Sequence, residues 1–236
     1  MPPNGSTRNS GAGIPVILFA LLVVGLLTLA GIGARYYFYG SVGAIYVLFS
    51  LFFSINLLIC YWEMCLFLRR DLVEQRTVYW RERQQQTGQS PVREFLLGKV
   101  PFRNLLSPTT WADVWAVYAQ IDGSYADRST YGFNVDTANG FVTLVPTLLL
   151  YAAYTAASPA AVVAGIIGVM VFWQWTYATS VYVFSFFVAR RHSGLARREL
   201  YIYIGALNSP WVLCGLVGLY VSVRLILDGD YSVLGH

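Results

Sequence analysis

Long runs without a charged residue constrain this chain more than any other feature. Ile14 to Ala34 contains no Asp, Glu, Lys or Arg, and Ser41 to Leu68 contains only Glu63. A helix needs roughly 20 consecutive apolar residues to cross the hydrocarbon core of a bilayer. Three further runs, about Asn139 to Ala157, Ala160 to Ala189 and Tyr201 to Val223, are also long enough. Composition agrees: 56% of the 236 residues are hydrophobic and 12% are charged, against ~25% charged in ordinary soluble domains. The reading is an all-α integral membrane protein, a five-transmembrane-helix bundle over residues 14–226. The polar segment 1–13 reads as a disordered tail and 227–236 as a C-terminal tail.

Between the second and third spans lies a polar stretch, 69–138. Within it Thr110 to Gln120 carries Trp111, Trp115 and Tyr118 in an amphipathic pattern. That segment is too short to span, and its aromatic side chains suit the membrane interface. Pro146 predicts a kink in the third span and Pro210 one in the fifth, because proline removes a backbone donor.

The distribution of charge sets an orientation. All 16 basic residues except Arg35 and Arg224 fall on one side of a five-span arrangement: Arg8, those of the 69–138 loop, and Arg190, Arg191, Arg197 and Arg198. Basic residues in short loops stay in the cytoplasm. The expectation is a cytoplasmic N-terminus and a C-terminus across the membrane. The host membrane would be the endoplasmic reticulum in a eukaryote, or the inner or plasma membrane in a bacterium. The same bookkeeping explains the net charge of +4 without nucleic acid. Nothing in the pattern argues against a homodimer. Cys60, Cys65 and Cys214 lie in apolar runs with no C-x-x-C or Cys/His spacing, so no metal site is implied. There is no G-x-G-x-x-G, Walker A or H-E-x-x-H motif.

Polar residues inside the spans are costly and therefore informative. Glu63 lies roughly 9 Å of helix before Arg69, at ~1.5 Å per residue, with Asn56 and Cys60 on the same face. It is either a functional carboxyl or a protonated or arginine-paired one near the headgroups. Asp136 precedes a stripe of Thr143, Thr147, Tyr151 and Tyr154, which is either a ligand-lining face or interhelical hydrogen bonding. Asp136 alone also suits a helix cap. The fourth span carries Trp173, Gln174, Trp175, Tyr177 and Tyr182, and the fifth carries Asn208 and Trp211. These aromatics are either core or the wall of a pocket.

Trp115-x-x-Tyr118-x-x-x-Asp122-x-x-Tyr125 resembles the W-x-x-Y-x-x-x-D-x-x-Y motif of the emopamil-binding protein family, part of the wider EXPERA group. Asp136-Thr137 stands where the family's sterol isomerases have Glu-Thr. Pro146 and the trio Gln174, Tyr177 and Tyr182 (with a one-residue slip) are similar too, as are Asn208-Ser209-Pro210-Trp211 and Glu63. The resemblance covers about residues 42–225. Three departures stand out. Ile59 replaces the family's histidine one turn before the second-helix glutamate, Asp136 is shorter than Glu, and the chain between Glu63 and Trp111 is longer.

The resemblance implies an EXPERA-like bundle and a membrane isomerase that shifts a carbon–carbon double bond in a sterol-like or polycyclic isoprenoid lipid. Glu63 and Asp136 would transfer protons. Asn208, Trp211, Tyr177, Tyr182, Gln174, Thr143, Tyr118 and Asp122 would bind substrate. No cofactor would be needed, and cationic amphiphilic amines would inhibit as carbocation mimics. Two alternatives remain: a non-catalytic sterol- or lipid-binding or trafficking protein of the same group, and a membrane terpene cyclase.

Overall fold

The computed structural model describes residues 12–235; most of the polar segment 1–13, with Arg8, and His236 lie outside the described residues. A short strand β1 (Gly13–Pro15) leads into α1 (Val16–Tyr39) and α2 (Ala44–Leu68). The loop region then folds as α3 (Arg70–Thr87), α4 (Pro91–Leu97), β2 (Lys99–Pro101) and α5 (Pro108–Tyr118). Next come α6 (Tyr131–Val142), α7 (Leu144–Ala156) and α8 (Ala161–Val188). A single turn, α9 (Arg197–Glu199), runs through a π-helical stretch, Leu200–Ala206, into α10 (Ser209–Asp228). By length and composition α1, α2, α8 and the 197–228 unit can each cross a membrane, and the bent pair α6–α7 makes a fifth if the two helices together form one span. The molecule is an all-α multi-pass membrane bundle.

Packing explains the arrangement. α2 is the central helix: its Phe49, Phe52 and Phe53 interlock with Tyr154 of α7 and with Phe172 and Trp175 of α8. α1 buries only Val16, Gly31 and Arg35. It is a peripheral helix whose remaining apolar surface suits lipid. α8 and α10 approach closely through small residues, since a Cβ on Gly168 would overlap Ser222 and one on Gly218 would overlap the Phe172 ring. Small side chains at such a seam let two membrane helices gain van der Waals contact.

Three expectations from the sequence need correction. The helical pair that carries the third run begins at Tyr131, not near Asn139, and it bends by 50° between Val142 and Leu144. Pro146 sits in the first turn of α7, where its missing N–H leaves the Val142 carbonyl without its helical partner, so the break falls just before the proline. The last span starts earlier, at Arg197, and ends later, at Asp228. Its irregularity precedes Pro210: Leu207 donates to the Ile202 carbonyl (3.0 Å), the Asn208 amide caps the Tyr203 and Ile204 carbonyls (both 3.1 Å), and the Ser209 hydroxyl takes the Ala206 carbonyl (3.0 Å) that Pro210 cannot serve. Finally, the two indoles of α5 are packed inside the protein instead of standing exposed as anchors. Trp111 is fully buried and stacks on Phe19 of α1, and Trp115 donates to the Trp62 carbonyl of α2 (2.6 Å). The two indoles find better burial against α1 and α2 than an interface offers.

Ion pairs fasten the α3–α5 cap. Arg76 grips Asp113 with two 2.7 Å bonds, and Trp80 donates to the same carboxylate (2.9 Å). Arg83 pairs with Glu94, and Arg128 with Asp71 and Glu74.

Candidate functional site

Between the end of α2, α5, the start of α6, the second half of α8 and the π-helical stretch lies a cavity of about 600 Å³. Its wall is mostly apolar. Ile59, Trp62, Val114, Val117, Trp175, Ile202 and Leu207 contribute to it, as do Val16 and Ile17 of α1 and Val92, Phe95 and Leu96 of α4. The two intramembrane carboxyls, Glu63 and Asp136, line this same space, together with Tyr118, Tyr125, Asn139, Tyr182, Asn208 and Trp211.

Glu63 is buried, and its Oε2 accepts a 2.7 Å hydrogen bond from the Asn139 amide of α6. The pairing depends on a close approach of the two helices. A Cβ at Gly140 would stand 2.8 Å from Glu63 Cβ and 2.8 Å from Met64 N, so only glycine lets α6 lie this near α2. Asn139 is held from behind, where Thr143 Oγ1 donates to its Oδ1 (3.1 Å) and Gln174 Nε2 reaches the same oxygen (3.4 Å). Glu63 therefore has an amide partner at a fixed orientation, and its partner is not an arginine.

Asp136 lies in the second turn of α6. The cap of that helix is Thr130, whose hydroxyl accepts from Phe133 N (3.3 Å), so Asp136 is free of the capping role. Its neighbour is the Tyr125 hydroxyl. Burial, then the adjacent Asp136 charge, push that hydroxyl well above the ordinary tyrosine range. Tyr118, whose hydroxyl donates to the Tyr203 carbonyl (3.2 Å), is pushed up to about 12 by burial. Both phenols therefore stay protonated and serve as donors.

Deeper in the bundle, Trp211 donates from Nε1 to Asn56 Oδ1 (2.9 Å), while Asn56 Nδ2 donates to Thr147 (3.0 Å). This fixes the indole of Trp211 edge-on to Phe52 and beside the cavity. Asn208 lines the cavity too, but its amide nitrogen is spent on the π-helical carbonyls.

Four residues expected to bind substrate stand outside the lining. Asp122 is fully buried and accepts from Arg191 (2.8 and 2.9 Å), Tyr182 (2.8 Å) and Ser124 N (3.0 Å). It ties the 123–126 turn to the end of α8, an architectural role that leaves no lone pair for a ligand. Tyr177 points outward, stacked on Trp173. Thr143 and Gln174 act one layer back, through Asn139. The residue that sequence reasoning missed is Asn139. It stands three residues after Asp136 and shares its helix face, a signal that hydropathy alone hides because the apolar run begins only at Asn139. Among the described residues no group of three His, Cys, Asp or Glu side chains converges as metal ligands would. No family model matches this chain, and neither a curated protein nor a solved structure does.

Proposed function

We propose that this chain is a membrane-embedded isomerase that shifts a carbon–carbon double bond in a sterol-like or polycyclic isoprenoid lipid. The observation that carries the reading is the pair of carboxyls, Glu63 and Asp136, lining one mostly apolar cavity. The volume falls within the ~300–1,000 Å³ of ordinary small-molecule sites. An apolar wall selects a hydrocarbon substrate, and two carboxyls match a reaction that adds one proton and removes another.

In the reaction, one carboxylic acid delivers its proton to an alkene carbon. The resulting carbocation lies near the indoles of Trp211 and Trp175, which line the cavity and whose π-electrons stabilise positive charge. The other carboxylate takes a proton from the carbon on the far side of the cation, and that C–H electron pair becomes the new double bond. Substrate and product are isomers, with no net redox change. Proton exchange between the carboxyls or with water restores the starting state. Asn139 holds Glu63 in position throughout. The resemblance to the emopamil-binding family points to the same chemistry and to inhibition by cationic amphiphilic amines.

A second reading is a lipid-binding protein of the EXPERA type without turnover. Ile59 favours it, because this apolar side chain lines the cavity where the isomerases carry a histidine. Deuterium uptake from D₂O into Δ8 sterols, in proteoliposomes, separates the two. Turnover with one solvent deuteron per product supports the isomerase. Protein that binds a cationic amine yet leaves every Δ8 sterol unlabelled would overturn it in favour of the binding protein. The orientation belongs to this proposal as well, with the N-terminus and the α3–α5 cap on the cytoplasmic side.

A further inference from the structure

The loop between α4 and α5 has an uneven surface. Val100 is buried with Val16 and Trp111, and the Leu105 carbonyl accepts from Trp111 Nε1 (2.7 Å). Leu97, Phe102 and Leu106 point the other way and are 59%, 59% and 83% exposed. Arg93, Lys99 and Arg103, also exposed, are interleaved with them. Three bare hydrophobes alternating with three cations suit neither water nor hydrocarbon. They do suit the boundary, where apolar tips enter the acyl region and basic heads meet phosphate.

The depth of this loop is fixed independently of its composition. β2 pairs antiparallel with β1, Ile14 opposite Val100, and Val16 N donates to the Gly98 carbonyl (3.0 Å). Val16 is the first residue of a membrane-spanning helix. The loop is therefore held level with the point at which α1 enters the bilayer. Its side chains have the chemistry of that level, and Val92, Phe95 and Leu96 just before it line the cavity, as do Val16 and Ile17 of α1.

We propose that residues 97–106 form a lip embedded in the headgroup layer, with Leu97, Phe102 and Leu106 in the outer acyl region and Lys99 and Arg103 on anionic phospholipid. The lip holds the α1–α4 end of the cavity at the lipid surface, so a lipid ligand meets it directly from the leaflet. This holds whether or not the cavity is catalytic.

The test places a photo-crosslinking benzoylphenylalanine at Leu106, and separately at Phe102, in the full-length protein. The protein is reconstituted in nanodiscs of phosphatidylcholine alone or with a minority of phosphatidylglycerol. Phospholipid adducts are counted by mass spectrometry. Expected are lipid adducts at both positions, with phosphatidylglycerol several-fold above its mole share. That excess should fall to the mole share in the Lys99→Gln/Arg103→Gln variant, while total lipid adducts persist. An absence of lipid adducts at both positions would overturn the embedding. Phosphatidylglycerol at its mole share in the unsubstituted protein would overturn the anionic contact. Neither position is buried, so the probe leaves the core untouched.

Discussion

Glu63 is held by one amide hydrogen bond, and Asn139 is the side chain that makes it. Asn139→Leu keeps the branching of the side chain, with bulkier methyls in place of the amide, and leaves the carboxyl without its donor. A buried polar group stripped of its partner costs ~1–3 kcal/mol. The variant should therefore melt lower in detergent. If Glu63 transfers a proton it should also lose turnover at least ten-fold, while amine binding falls much less. Melting temperature and turnover unchanged from the parent protein would mean that Glu63 needs no fixed orientation. The carboxyls themselves test the chemistry more directly. Glu63→Gln and Asp136→Asn preserve shape and remove the acidic proton, and loss of a general acid or base typically costs ~10²–10⁴-fold in rate. Both should keep binding a cationic amine measurably, since the aromatic wall remains. Full turnover in either variant removes that residue from the mechanism.

At the level of elements, sequence legibility followed how one-sided each helix is. α1, α2 and α8 were plain because their runs are uncharged, whichever face they bury. α6 was not, because Asn134, Asp136, Thr137 and Asn139 make its first turns look like loop, although Thr137 and Asn139 pack inside the bundle and Asp136 lines the cavity. A helix whose polar side faces a cavity has no hydropathy signal to announce it. The indoles of α5 misled for the opposite reason. Tryptophan is equally at home at an interface and in a core, and only the partners Phe19 and Trp62 decide. Close seams were likewise invisible until glycine positions had neighbours. They now give a contrast. Gly168→Leu pushes a side chain into Ser222 and the α8–α10 seam, and overpacking of this kind costs ~1–3 kcal/mol. Gly25→Leu, on the α1 surface with nothing near it, should be neutral or better, since leucine is the stronger helix former. Thermal melts of the two variants in the same detergent should separate clearly; equal melts would show that the seam yields freely.

For the molecule as a whole, basic residues and topology tell one story. The β1–β2 pairing brings the start of α1 and the α4–α5 loop together, so the N-terminal end and the cap share a side whatever the membrane. α1, α2, the broken α6–α7 pair, α8 and the 197–228 unit then carry the chain across an odd number of times if each is a span. Odd parity puts the end of α10, with its Arg224–Asp228 pair, opposite the cap. Among the described residues it leaves Arg35 and Arg224 as the only arginines or lysines away from the cap side. Were the α6–α7 pair a re-entrant loop that returned to its own side, the count would fall to four. α8 would then run the other way, and the arginines of 190–198 would be stranded opposite the rest of the positive charge, against the usual bias. Reporter fusions decide this. A fusion after Asp230 and another inserted near Gly88, in the turn between α3 and α4, should report opposite compartments, with the Gly88 insertion cytoplasmic. Signals from one compartment at both sites would mean that α6–α7 does not cross, and the charge argument for five spans would fall with it.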